Sequence, residues 1–171
     1  MKFGGTSVGK PERMRQIAQL ITADKEPVMV VLSALSGTTN ALVEISQLLA
    51  ASDKQGAVDK IAILEKHYQN FIHDLLQEAT LLAMANEVLN EHFEFLRITQ
   101  KISLSDALNK DILAQGELLS TKLFSLFLEQ AKIEHALLPA LDFMRLDQNE
   151  EPDLPIIQEK LKAALATHPT K

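Results

Sequence analysis

Between residues 11 and 49 the apolar pattern changes period twice, and that order limits the fold more than any single motif. Met14, Ile17, Leu20 and Ile21 recur at helical spacing behind Pro11, a residue suited to a first helical position, and predict a helix over 11–23. Glu26-Pro27 breaks it. Val28-Met29-Val30-Val31-Leu32 is then a continuous, largely β-branched run, the pattern of a strand buried on both faces as in a parallel sheet. Helical spacing returns from near Asn40 with Leu42, Val43, Ile45, Leu48 and Leu49. With Met1 to Phe3 read as the end of a first strand, the order is strand, helix, strand, polar loop, helix. That is the βαβα signature of an α/β fold with a parallel sheet.

The middle of the chain carries no strand signal from Ala57 to about Leu96. Val58, Ile61, Leu64, Tyr68, Phe71, Ile72 and Leu75 make one amphipathic stripe. Leu81, Leu82, Ala85, Val88, Leu89, Phe93 and Leu96 make a second. They predict a helical hairpin turning near 77–80. Ser105 is the expected N-cap of the next helix, with Ser103 competing, and Leu108, Ile112, Leu119, Leu123, Phe124 and Phe127 form its apolar face. Gly116 interrupts that face at a cost of about 1 kcal/mol relative to alanine, so it marks a break, a close approach or a site. Glu134 to Leu138 reads as a third short strand ended by Pro139. Residues 142–153 read as loop, and a last helix is expected from about Leu154 to Ala166.

Composition narrows the function classes. The 171 residues are 46% hydrophobic and 23% charged, the balance of an ordinary globular protein. A net charge of −6 without any Lys/Arg cluster disfavours nucleic acid as a partner. The absence of cysteine excludes disulfides and thiolate metal sites and is compatible with a cytoplasmic protein. No apolar run approaches the ~20 residues of a membrane span, so no membrane partner is expected. No signal peptide is read ahead of Phe3-Gly4-Gly5.

Three segments combine small, polar and charged residues where chemistry would be expected. The first is Lys2-Phe3-Gly4-Gly5-Thr6-Ser7-Val8-Gly9, a glycine-rich turn entering a helix. Backbone N–H groups and a helix N-terminus make such a turn a candidate phosphate cradle, with Lys2 adding a full charge. It matches neither the G-x-x-x-x-G-K-[ST] loop nor G-x-G-x-x-G, and a plain tight turn explains it equally well. The second is Ser33-Ala34-Leu35-Ser36-Gly37-Thr38-Thr39-Asn40, either a ligand loop at a strand's carboxyl end or a turn plus N-cap. The third is Gly116-Glu117-Leu118-Leu119-Ser120, where Glu117 taken alone is a solvated helix residue. Histidines 67, 73, 92, 135 and 168 fall in no recognisable metal motif and are taken as structural or surface residues. Asp142, Asp147 and Asp153 are a weak Mg²⁺ set in an ordinary loop.

Taken in order, Lys2 to Ser7, Val31 to Asn40 and Gly116 to Ser120 resemble the first three motifs of aspartate kinase, of the amino acid kinase family. The helical stretch between the second and third is similar too, and Asp142 to Arg145 and Glu151 to Asp153 extend the likeness weakly. Residues 1–171 then resemble the N-terminal portion of an amino acid kinase domain, with 57–100 as a helical insert. The implied fold is a carbamate kinase-like parallel sheet sandwiched by helices. The implied reaction is transfer of the ATP γ-phosphoryl group to the side-chain carboxylate of L-aspartate, giving 4-phospho-L-aspartate on the way to lysine, threonine and methionine. The resemblance implies that Lys2 contacts the transferring group and that Gly4, Gly5 and Ser7 bind the ATP phosphates. It further implies that Ser33 and Thr39 are acceptor-side hydroxyls and that Glu117, as a buried acid, pairs with the substrate ammonium group. Mg²⁺ would travel with ATP, and the full-length protein would be a homo-oligomer. The family's later Gly-Arg-Gly-Gly-Ser-Asp-type segment, with its arginine and catalytic aspartate, has no match here, so the chain is expected to be an inactive fragment. The alternatives are a non-catalytic helical interaction module and a kinase of another amino acid.

Overall fold

The computed structural model describes residues 1–23 and 26–167, so His168 lies outside the described residues. The chain divides into two compact units, Met1–Glu134 and His135–Lys171. The first unit opens with β1 (Lys2–Phe3), a single turn α1 (Gly5–Val8), α2 (Pro11–Ile21) and β2 (Val31–Leu32). Four longer helices follow: α3 (Thr38–Ala50), α4 (Lys54–Leu75), α5 (Ala79–Thr99) and α6 (Asp106–Gln130). Strands β1 and β2 pair in parallel, Lys2 opposite Val31 and Phe3 opposite Leu32. The ladder continues on either side through Val31 N–H to the Met1 carbonyl at 2.9 Å and Ser33 N–H to the Phe3 carbonyl at 3.0 Å.

The four long helices carry the core. Each packs on the next, and α6 returns to α3. Their apolar stripes meet inside: Leu42 and Ile45 of α3, Ile61, Tyr68 and Ile72 of α4, Leu89 and Phe93 of α5, Ile112 and Leu123 of α6 are all buried. The ends are set by side chains. Asp53 accepts from Gly56 N–H at 2.9 Å, and Ser105 accepts from Leu108 N–H at 3.2 Å. The α4–α5 turn is tied from the far end of α6, where Gln130 Oε1 accepts from the backbone N–H of both Gln77 and Glu78.

Three expectations need correction. The run Val28 to Leu32 is strand only at Val31–Leu32, and it is not buried on both faces: Val28, Met29 and Val31 are 37%, 47% and 52% exposed. Among the described residues β2 has one strand neighbour, so neither its far edge nor its outer face is covered. Glu134 to Leu138 forms no strand, for the same lack of a pairing edge. The sheet is parallel as expected but has two strands, and the chain is mostly helical; the sandwiched sheet is met only in part.

The second unit holds α7 (Ala140–Phe143), an antiparallel bridge between Leu146 and Pro152, and α8 (Leu154–Ala166). The Asp147 carboxylate accepts from the N–H groups of Asn149 and Glu151, and these bonds hold its carboxyl below the usual range. Asp153 caps α8 through Ile156 N–H at 3.2 Å. Two of the three weak Mg²⁺ candidates thus organise their own loop.

One buried polar chain ties α5 to α6. Gln115 Nε2 donates to the Asp111 carbonyl, which turns its Oε1 toward His92 Nδ1 at 2.6 Å. Lys122 Nζ stands 3.1 Å from His92 Nε2, and an ammonium group only donates. His92 is therefore neutral, with its proton on Nδ1. Burial chiefly holds its pKa below 6.5; Lys122 adds to that effect, while Gln115 and the Glu91 carboxylate oppose it. The unfolded chain then takes up a proton near pH 6.5 that the folded chain refuses, so this contribution is lost as pH falls through that value. The urea midpoint is expected to drop between about pH 7.5 and about pH 5.5, and the His92 ring resonance to titrate below 6.5. A His92 titration at or above 6.5 would contradict it.

Candidate functional site

The parallel register brings the carboxyl ends of β1 and β2 to one edge, so Gly4 to Gly9 and Ser33 to Thr38 leave side by side. They touch without room for side chains. A Cβ on Gly5 would lie 3.0 Å from the Ala34 carbonyl oxygen, and one on Gly9 would lie 2.6 Å from Ser36 Cβ. Helix α6 closes on the same loop from another side. A Cβ on Gly116 would come within 2.6 Å of Ala34 Cβ and 2.9 Å of Thr38 Cγ2. One turn on, Ser120 Oγ donates to the Ser33 carbonyl at 2.8 Å. The three segments singled out in the sequence thus converge on Ala34 to Thr38.

The glycines divide by role. Gly5 allows close approach to the Ala34 carbonyl, Gly9 to Ser36 and Gly116 to the Ala34 and Thr38 side chains, whereas a Cβ on Gly4 or Gly37 would meet nothing within 4 Å. In the first loop, Gly4 is therefore the glycine with open space beside it. Its carbonyl accepts from Ser7 and Val8 N–H, and the N–H groups of Gly5 and Thr6 precede those first helical bonds. Gly37 is in the left-handed region, φ 85°, and starts α3 at Thr38, two residues earlier than the sequence pattern suggests.

Lys2 and Thr39 are exposed, and Ser7 and Ser33 are half-buried. Glu117 is exposed, which corrects the expectation of a buried acid: it sits on α6 beside Gly116, one position off the packed face. Its charge is still felt inside. Burial raises the Tyr68 phenol well above its ordinary range, the Glu117 carboxylate adds to that, and the bond to Thr38 opposes it. From the sequence, Tyr68 is placed in an apolar stripe and Thr38 in the second segment, but the two are not paired. The signal was there, since a tyrosine in an apolar stripe buries a hydroxyl that needs a partner; Thr38 Oγ1 supplies it at 3.1 Å. Two grooves of about 330 and 460 Å³ lie elsewhere, along α3 and before α6. Neither is lined by any of the three segments, so the candidate site rests on their convergence alone. Among the described residues no group of three or more His, Asp or Glu stands close enough to hold a metal ion, and none of their helices is long and apolar enough to cross a membrane.

A family model described as the amino acid kinase family matches residues 1–169. Lysine-sensitive aspartokinase 3 of Escherichia coli (strain K12) is 31% identical over 171 residues, covering 92% of this chain and 35% of that protein. Chloroplastic aspartokinase 2 of Arabidopsis thaliana is 31% identical over 140 residues, covering 79% of this chain and 25% of its own length. The crystal structure of E. coli aspartokinase III in complex with aspartate and ADP (R-state) superposes with a TM-score of 0.82 at 25% identity. It covers 98% of this chain and 37% of that one. The chain therefore spans about a third or less of the curated relatives it matches.

Gly116→Ala would stabilise an ordinary helix by about 1 kcal/mol. Here it is expected to lower stability by about 1–3 kcal/mol, because Ala34 and Thr38 must move. Gly4→Ala, with open space around its Cβ, is expected to change stability by less than about 0.5 kcal/mol. Urea unfolding of both variants checks the pair, and a stabilised Gly116→Ala would refute the close approach.

Proposed function

The chain belongs to the amino acid kinase family, and we propose that its full-length protein is an aspartate kinase. The observation that carries this reading is the meeting of Lys2–Gly9, Ser33–Thr39 and Gly116–Ser120 at one edge of the parallel strands. The aspartokinases of E. coli and A. thaliana among its relatives support the choice of substrate.

The reaction brings two anions together and stabilises charge on a transferring group. An aspartate carboxylate oxygen attacks the γ-phosphorus of ATP, the bond from that phosphorus to the bridging oxygen breaks, and ADP leaves with the electron pair. No general base is required, because a carboxylate has no proton to lose at neutral pH. Lys2 offsets charge on the transferring group. Gly4, Gly5 and Ser7 offer donors to the nucleotide phosphates. Ser33 and Thr39 face the acceptor with hydroxyls, and Glu117 pairs with its ammonium group. Because Glu117 is at the rim, that pairing is open to an incoming amino acid without unfolding α6. Mg²⁺ is assigned to the nucleotide, held through its phosphates, and no step here runs through a protein metal site. A cytoplasmic homo-oligomer belongs to the same proposal.

Trapping acyl phosphate as the hydroxamate tests the reading. The full-length protein is expected to form hydroxamate with ATP and aspartate and far less with glutamate. Lys2→Ala is expected to lower kcat ~10²- to 10³-fold, the size of one lost electrostatic donor. Equal rates with glutamate would reassign the acceptor, and an unaffected Lys2→Ala would remove Lys2 from phosphoryl transfer. The 171-residue chain, which spans so little of its relatives, is expected to turn over nothing by itself; turnover would overturn that.

A further inference from the structure

Tyr68 is the single tyrosine of the sequence and is fully buried on α4. Its ring meets Phe93 of α5 edge-on, with centroids 6.0 Å apart. Phenylalanine would serve that packing as well, so the hydroxyl calls for its own explanation. It lies 3.1 Å from Thr38 Oγ1, and Thr38 is itself 1% exposed. The other side of Thr38 is occupied by α6, where a Cβ on Gly116 would come within 2.9 Å of Thr38 Cγ2. Thr38 is thus held between a hydroxyl from α4 and the backbone of α6. The next residue along α3 is Thr39, and the next along α6 is Glu117. The Glu117 charge reaches the Tyr68 phenol.

We propose that Tyr68 is a positioning residue for the acceptor side of the site, its hydroxyl fixing through Thr38 the spacing between Thr39 on α3 and Glu117 on α6. This rests on the acceptor roles given to Thr39 and Glu117 above. It gives the α4–α5 hairpin a task beyond filling the core: one of its helices holds the first turn of α3 in register with α6. Tyr68 is fully buried and out of direct reach of either substrate, so its removal is expected to act through the acceptor side.

The test is steady-state kinetics on the full-length protein with Tyr68→Phe, which removes one oxygen and keeps the ring. The KM for aspartate is expected to rise about fivefold, the equivalent of one neutral hydrogen bond, with the KM for ATP and kcat near wild type. Thr38→Val removes the same bond from the other end and is expected to match, with no further rise in the double variant. Glu65→Gln, which breaks the α4–α5 ion pair with Arg97, is the control for general loosening of the hairpin and is expected to leave both KM values unchanged. An unchanged aspartate KM in Tyr68→Phe would overturn the proposal. So would an equal rise in both KM values, or a rise matched by Glu65→Gln. A wild-type protein that phosphorylates no amino acid would overturn the function itself, and this inference with it; an active wild type with an indifferent Tyr68→Phe would overturn only the inference.

Discussion

The close approach of α6 to the loop after β2 is the contact on which the rest of the first unit depends. Gly116 brings a helix backbone against Ala34 and Thr38, and Ser120 adds a hydrogen bond to the Ser33 carbonyl. Any larger residue at 116 would hold the helix away. With that contact made, the loop that leaves the sheet is fixed against a helix distant in sequence. Gly5 and Gly9 then lay the first loop along it. Of the glycines in the three candidate segments, Gly5, Gly9 and Gly116 sit where a Cβ would collide with a neighbouring segment, whereas Gly4 and Gly37 have open space beside them.

The second constraint is where the apolar surface goes. Two strands of two residues bury little, so the core is built by α3 to α6, and the sheet serves mainly to align two loops at one edge. Burial of four amphipathic stripes supplies the main driving force. Polar groups that enter that interior are partnered, among them Tyr68 with Thr38, His92 with Gln115 and Lys122, and Ser120 with the Ser33 carbonyl. Among the described residues every fully buried side-chain N or O atom has a partner. The first cluster joins α4 to α3 and the second joins α5 to α6.

Much of this was legible in the sequence. Helices α2, α4, α5, α6 and α8 follow the apolar period, and the Ser105 cap is where the composition put it. The three candidate segments were found by residue type, and they do converge. The errors share a cause. Val28 to Leu32 has strand composition, yet only Val31 and Leu32 pair, because a strand exists only where a partner offers its edge. Glu134 to Leu138 fails for the same reason. Glu117 was expected to be buried, but one helical position, about 100° around the axis, separates it from the packed Gly116.

By itself, then, the sequence determined helices α2 to α6 and α8, the Ser105 cap and the chemical inventory of the candidate site, since period, capping and residue type are properties of neighbouring positions. The tertiary structure alone decided how far the strands extend, which glycines face open space, and that Tyr68 reaches Thr38. Those outcomes depend on what residues far apart in the chain place within a few ångströms of one another, and no local pattern encodes that distance.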